Sequence, residues 1–240
     1  MLFRSVVIRD VTDRNREEEL TRKADRLSVM GQLAAGVAHE LRNPLTTVKG
    51  FVQLIRSKPA SLKSYYLDLI MEEMERIEYF IKELLVLAKP QALKMDNRSP
   101  AVMIGDAVAS LAPMAEESGV AIECRLPQGL PTVRCEEAQL KQVFLNVIQN
   151  AIEAMPDGGT VRIEGHATDR GEVVVTVADE GAGMPPERLS RLGEPFYTTK
   201  EKGTGLGLML SLKIMAEHDG TLAFESGTGG TTVTVTLPAG

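Results

Sequence analysis

Apolar and small side chains recur in alternating steps of four and three from Leu20 through Ala24, Leu27, Gly31, Ala34, Ala38, Leu41, Leu45, Val48 and Val52 to Ile55. That spacing predicts an amphipathic helix over residues 14–57 whose apolar stripe is as narrow as a coiled-coil seam. Residues 58–61, Lys-Pro-Ala-Ser, stop it: proline cannot continue a helix, and Ser61 can cap the next one. A second stripe runs through Leu62, Tyr66, Leu69, Met74, Ile77, Ile81, Leu84 and Ala88 and ends at Lys89-Pro90. A hairpin of two such helices leaves its seam open, and two-fold pairing into a four-helix bundle is the simplest way to bury it. The expected assembly is a homodimer.

After the polar segment 91–100 the pattern becomes mixed. Helical spacing covers 104–118, 138–155 and 206–218, and strand alternation covers 120–126, 160–165 and 173–178. Residues 221–225 and 231–237 read as a closing antiparallel pair, and residues 2–12 read as a short strand at the other end of the chain. Strands and helices do not alternate one for one, so the class is α+β rather than doubly wound.

Composition narrows the function. Net charge is −6 with the signs interspersed, and aromatic residues make up 4% with no tryptophan. A nucleic-acid or membrane-surface binder would show basic clusters or stacking platforms instead. No apolar run approaches the roughly 18 residues of a membrane span, and the N-terminus has no signal-type apolar core. Cys124 and Cys135 lie beside turns with no CxxC pattern or nearby histidine, so they read as two ordinary thiols.

Four stretches carry candidate chemistry. The first is Ala38-His39-Glu40-Leu41-Arg42-Asn43-Pro44-Leu45. Ala38 and Leu41 belong to the seam, which puts His39 on its flank, within reach of a partner. An unperturbed imidazole, with a pKa of about 6.5, is mostly neutral at pH 7 and keeps a free lone pair. Glu40 is positioned as orienter and base, Asn43 shares the flank one turn on, and Pro44 removes a backbone donor and bends the helix. By itself, a solvated histidine on a charged helix face is the better reading.

The second stretch is the polar row Gln142, Asn146, Asn150 and Glu153 on an otherwise apolar helix. Asparagine is a poor helix former, so the row is either a set of oxygen ligands for a hard cation or a solvated face. In the third, Asp179-Glu180-Gly181-Ala182-Gly183 at a strand end, a carboxylate can accept from a base amino group and glycines permit close backbone approach; an ordinary turn uses the same residues. The fourth, Gly203-Thr204-Gly205-Leu206-Gly207, runs straight into a helix, where bare amides and the helix dipole suit phosphate. Between the last two lies Glu194-Pro-Phe-Tyr-Thr-Thr-Lys200, flanked by glycines as a lid would be. Lys200 and Lys202 read as phosphate ligands or as solvated lysines.

Taken in order, these stretches resemble the bacterial sensor histidine kinases. His39–Leu45 resembles the H box, Gln142–Asn150 with Ala151-Ile-Glu-Ala154 the N box, Asp179–Gly183 the G1 box, Glu194–Lys200 the F box and Gly203–Gly207 the G2 box. The resemblance covers nearly the whole chain, and Gly31-Gln-Leu-Ala-Ala-Gly-Val-Ala-His39 is most similar to the sporulation kinases of spore-forming bacteria. It implies a phosphotransfer hairpin at 21–92 that dimerises into a four-helix bundle, then a Bergerat-type α/β sandwich at 99–240 that binds ATP.

By that resemblance His39 takes the γ-phosphoryl group and Glu40 polarises its ring. Asn150, with Asn146 nearby, holds Mg²⁺. Asp179 binds the adenine amino group and Gly181 and Gly183 shape the pocket. Lys200 and Gly203, Thr204, Gly205, Leu206 and Gly207 surround the phosphates, and Thr231 supports the adenine. The phosphoryl group then passes to an aspartate of a response regulator, and Glu40-x-x-Asn43 matches the family's phosphatase pattern. Residues 1–20, with Asp10-Val-Thr-Asp13, resemble the end of a PAS sensor domain, so a cytoplasmic fragment of a longer protein, itself membrane-attached or not, is expected. The sporulation kinases also imply a small helical inhibitor protein on the hairpin.

A different class of reading is a nucleotide-gated interaction protein without phosphotransfer; the intact His39, Asn150 and Asp179 argue against it. His166 and His218 lack the Glu-x-x-Asn-Pro context and read as structural or surface residues.

Overall fold

The computed structural model describes residues 36–37, 41–56, 63–88, 94–200 and 203–240. They divide into two compact units, one ending at Glu78 and one running from Tyr79 to Gly240. The first contains helix α1, over residues 41–56, and the start of α2, Lys63–Ala88. α1 runs unbroken through Pro44, and Thr46 and Thr47 return their hydroxyls to the carbonyls of Arg42 and Asn43. Phe51 of α1 meets Tyr66 of α2 with ring centroids 5.9 Å apart. The strand expected over 2–12 lies outside the described residues.

The second unit is α+β. After the end of α2 come β1 Asp96–Arg98, α3 Pro100–Glu117, β2 Val120–Arg125, β3 Val133–Cys135 and α4 Glu137–Glu153. Then follow β4 Gly159–Ala167, β5 Glu172–Ala178, the single turn α5 Pro186–Leu189, α6 Gly207–Glu217, β6 Thr221–Gly227 and β7 Gly230–Pro238. Five strands form one sheet in the order β2-β4-β5-β7-β6; β2 lies parallel to β4 and the other pairs are antiparallel. Helices α3, α4 and α6 lie on this sheet.

Alternation puts Val161 and Ile163 of β4, Val173, Val175 and Val177 of β5, and Val235 and Leu237 of β7 into the core. The helices close it with Ile104, Leu140, Phe144, Ile148, Ile152 and Ile214, none more than 1% exposed. Burial of each such side chain is worth about 1.5–3 kcal/mol.

Two local expectations are corrected. The first helix of this unit begins at Pro100 rather than residue 104, because proline at the first helical position loses no bond and comes with φ already helical. The segment 91–100 also contains a strand: β1 pairs antiparallel with β3. Its sequence, Asp-Asn-Arg, has no apolar period to reveal it. Backbone bonds to β3 and ion pairs from Arg98 to Asp96 and Glu137 hold it.

His218 is the joint between α6 and α4. It is 3% exposed, its Nδ1 lies 2.7 Å from the Ile214 carbonyl, and its Nε2 accepts from the Glu136 N–H at 3.0 Å. Those two contacts fix a neutral ring with the proton on Nδ1. Glu136 in turn caps α4, its carboxylate accepting from the Gln139 N–H at 2.8 Å.

Candidate functional site

α4 carries the polar row of the second stretch, and the structure splits it. Asn146 is 7% exposed and fully engaged. Its Oδ1 accepts from Gln142 Nε2 at 3.0 Å, and its Nδ2 donates to the Gly207 carbonyl at 3.0 Å and to Ser211 Oγ at 3.2 Å. Asn146 therefore ties α4 to the first turn of α6, which orients the glycine-rich start of that helix. Asn150, one turn further along α4, is exposed. Its Oδ1 accepts from Lys200 Nζ at 2.5 Å, and the same ammonium pairs with Glu153 Oε2. Glu153 Oε1 accepts from Gln149 Nε2 at 2.8 Å.

Asp179 ends β5. It is 8% exposed, and its Oδ1 accepts from the Gly181 N–H at 2.9 Å and the Thr231 N–H at 3.1 Å. Thr231, the first residue of the expected closing strand, sits inside β7 and returns its own carbonyl to the Asp179 N–H at 2.9 Å. Burial raises the Asp179 carboxyl above the ordinary aspartate range, against the pull of the Gly181 and Thr231 N–H groups. The adjacent Glu180 moves the other way, lowered chiefly by its hydrogen bond from exposed Arg162. Two neighbouring carboxylates thus differ in role: one is buried and aimed inward, the other is a surface partner.

The glycines of this loop are demanded first by the protein itself. Gly183 has φ +68°, and a Cβ there would lie 1.7 Å from the Gly227 carbonyl oxygen in the β6–β7 turn. Ser226, beside that turn, accepts from the Met184 N–H at 2.7 Å and contacts Thr231 Oγ1 at 2.8 Å. The tip of the β6–β7 hairpin therefore braces the loop after Asp179.

Between α5 and α6, Arg191 lies 4.0 Å over the Tyr197 ring and bonds Glu194 at 2.8 Å. Phe196 takes φ +62° against Gly205, whose own φ is +67° and whose Cβ would fall 2.5 Å from the Phe196 carbonyl carbon. The Lys200 N–H bonds Thr198 Oγ1 at 3.1 Å, and Gly203 closes a turn on the Lys200 carbonyl at 3.2 Å. Helix α6 then opens with no side-chain cap, which suits an anionic ligand at its N-terminus. Leu206, buried at 0% exposure, anchors that end, and Thr204 Oγ1 donates to Glu83 Oε2 at 2.9 Å within the second unit.

The structure thus gathers Asn150, Lys200 and Glu153 at one point, and Asp179, Gly181, Gly183 and Thr231 at another. Asn146 links the first group's helix to Gly207. His39, Glu40 and Lys202 lie outside the described residues; Asn43 is described, exposed on α1. Sequence reasoning missed Glu83, Gln149, Ser211 and Ser226. Each is an ordinary polar residue on a helix or strand; Glu83, Ser211 and Ser226 gain meaning from partners distant in sequence, and Gln149 from Glu153 one turn on.

The donor set fits the groups such a site would hold. Asn150 and Glu153 offer hard oxygens already gathered around one cationic nitrogen, as a hard divalent cation requires. The buried Asp179 offers a carboxylate for an amino group.

Comparison with known proteins agrees with this geometry. Residues 29–93 match the His Kinase A (phospho-acceptor) domain, and residues 135–240 match the histidine kinase-, DNA gyrase B- and HSP90-like ATPase family. Sporulation kinase E of Bacillus subtilis (strain 168) is 47% identical over 97% of this chain and 32% of its own length. Sporulation kinase A of the same organism is 46% identical over 92% of this chain and 36% of its own length. The chain therefore spans about a third of the length of these curated relatives. Among solved structures, histidine kinase ThkA in complex with response regulator protein TrrA aligns with a TM-score of 0.77 at 29% identity, covering 98% of this chain and 69% of ThkA. Full-length ShkA in complex with AMPPNP aligns with a TM-score of 0.66 at 27% identity, covering 87% of this chain and 46% of that one. With a phospho-acceptor domain followed by this ATPase domain, the chain belongs to the sensor histidine kinase family.

Proposed function

We propose that this chain binds ATP at the Asp179 loop and the N-terminus of α6, and transfers the γ-phosphoryl group to His39. The observation that carries this reading is the buried Asp179 carboxylate, which two backbone N–H groups hold by one oxygen; the other is the acceptor for a base amino group in this reading. Thr231 fixes that carboxylate directly. Lys200 and the segment Gly203–Gly207 supply positive charge and amide donors for phosphate. Asn150 would hold Mg²⁺, which when bound neutralises charge on the phosphates.

A neutral nitrogen of His39 attacks the γ-phosphorus, an N–P bond forms, and the bond from phosphorus to the ADP oxygen breaks. Glu40 accepts a hydrogen bond from the other ring nitrogen and takes its proton as the first nitrogen bonds phosphorus. The protein contributes positioning and charge neutralisation, which is most of what phosphoryl transfer requires. The phosphoryl group then passes to a carboxylate of a response regulator. The complex that ThkA forms with TrrA supports a partner of that kind.

The exposed apolar residues of α2, among them Leu67, Met71 and Met74, support pairing with a second copy. An inhibitor protein on the same hairpin, by contrast, rests on the sporulation-kinase resemblance alone. Asn43, exposed on α1, favours a reverse activity in which its amide holds water against the regulator's phospho-aspartate. Among the described residues no helix is long and apolar enough to cross a membrane. A cytoplasmic location for this segment fits that observation.

Incubation with γ-labelled ATP tests the reading. Wild-type protein should acquire acid-labile, alkali-stable label, and His39→Gln none. An unlabelled wild type overturns the kinase reading, and persistent label on His39→Gln overturns the acceptor assignment.

A further inference from the structure

Lys200 meets α4 in an unusual way. One ammonium nitrogen touches two oxygens that lie one turn apart on a single helix, Asn150 Oδ1 at 2.5 Å and Glu153 Oε2. The Glu153 carboxylate is oriented from its other side, where Gln149 donates to Oε1. The Lys200 backbone is fixed as well, through Thr198 Oγ1 and the turn to Gly203. A cation at this point reaches both oxygens without rearrangement of α4.

We propose that Asn150 and Glu153 form a two-oxygen cation site, which the Lys200 ammonium holds until a divalent cation arriving with nucleotide displaces it. Glu153 is then a metal-site residue in its own right, and Lys200 is a built-in competitor. This rests on the nucleotide reading above and adds an exchange to it.

The charges explain why the exchange suits this site. A bare Glu153 carboxylate beside a triphosphate would repel it, so some cation must stay between them. The ammonium fills that place with a single charge and hydrogen-bond geometry. A divalent cation supplies twice the charge to the same two oxygens and also takes phosphate oxygens as ligands. Once displaced, Lys200 carries its charge from the α4 oxygens to the phosphates. Arrival of the metal and delivery of the lysine become one event.

The experiment is a titration of the full chain with Mn²⁺ alone, followed by the electron paramagnetic resonance signal of the free ion, at low salt. Lys200→Met removes the competitor and should bind Mn²⁺ about two- to fivefold more tightly than wild type, the range of a partly exposed ion pair. Glu153→Gln should weaken binding, and adding Lys200→Met to it should restore little. Lys200→Arg, which keeps the cation, should behave as wild type. Mn²⁺ affinity that is unchanged or weaker in Lys200→Met overturns the exchange, and unchanged affinity in Glu153→Gln overturns that residue's role. Binding of a fluorescent ADP with saturating Mg²⁺, measured on separate samples of the same proteins, separates the two layers. Loss of nucleotide binding in wild type sinks the nucleotide site. Intact nucleotide binding with unmoved Mn²⁺ affinities sinks the exchange alone.

Discussion

On α1 and α2, Leu45, Val52, Tyr65, Leu67, Met71 and Met74 stand 46–61% exposed, whereas in the sheet unit Ile104, Leu140, Phe144, Ile148 and Ile163 have no accessible surface. Both regions spend similar residue types on their apolar faces. The sheet unit has a second layer of its own, three helices on five strands, so its pattern closes within one chain. On the helices Leu45, Val52 and Met74 of the predicted stripe stand exposed, and so do Tyr65, Leu67 and Met71 beside it, which gives α2 a second exposed apolar row. The contrast separates two kinds of sequence signal: periodicity in the sheet unit specifies a fold, while the same periodicity in the helices specifies a partner.

The largest effect should come from breaking the closed side. Phe144→Ala removes a fully buried ring from the centre of α4 and should cost about 3–5 kcal/mol in urea unfolding of the sheet unit. The matching change on the open side, Met71→Ser with Met74→Ser, should leave that unfolding transition in place and lower the dimer fraction in analytical ultracentrifugation. Equal loss of sheet-unit stability from both changes would erase the distinction.

A smaller effect, and a sharper one, separates stability from function inside the closed unit. Asp179→Asn keeps an oxygen for the Gly181 and Thr231 N–H groups but cannot accept from an adenine amino group. Nucleotide affinity should fall by roughly 10- to 100-fold, the worth of one charge-assisted hydrogen bond. Stability moves the other way. A carboxyl whose pKa is raised by folding favours the native state when protonated, and that contribution is lost as pH rises through the folded value. At pH 7 the ionised, buried Asp179 is therefore a cost. The Asn variant should melt at or above the wild-type temperature, and the gap should close on acidification. Wild-type nucleotide binding should weaken as pH falls through a range above that of an ordinary aspartate. A variant that melts well below wild type at pH 7 would contradict the burial argument.

The mildest test concerns the thiols. Cys135 is buried in β3, and burial together with Glu136 and Glu137 pushes its thiol up to about 11, while Cys124 is exposed. Iodoacetamide at pH 8 should label Cys124 in the native protein and reach Cys135 only on unfolding, as read by mass spectrometry. Native labelling of both would show that the β1–β3 edge opens.

Much of the α+β unit was legible because its elements are long and periodic: α4, β5 and β7 announce themselves through Val, Ile and Phe at the right intervals. β1 was not, since Asp96, Asn97 and Arg98 have no apolar member, and backbone bonds and ion pairs hold them in place. The candidate site was legible in its residue types and less so in their roles. Asn146 and Asn150 look alike in sequence, four residues apart on one helix, yet one is a buried tie to Gly207 and the other an exposed oxygen facing Lys200. Helical phase places them on one face, a turn apart, but only the position of α6 decides which of the two is covered. Gly183 looked like a residue making room for a ligand; it makes room for the carbonyl of Gly227.

The sequence by itself determined most of the strands and helices of the α+β unit and the side-chain types that stand at the candidate site. These follow from spacing and side-chain chemistry, which are local. The tertiary structure decided which polar groups lost their water. Burial raised Asp179, the β6–β7 turn clamped its loop, and the chain after α5 brought Lys200 to α4 across 50 residues to share one point with Asn150 and Glu153. Desolvation and convergence depend on what lies across the fold, and no interval along the chain encodes that.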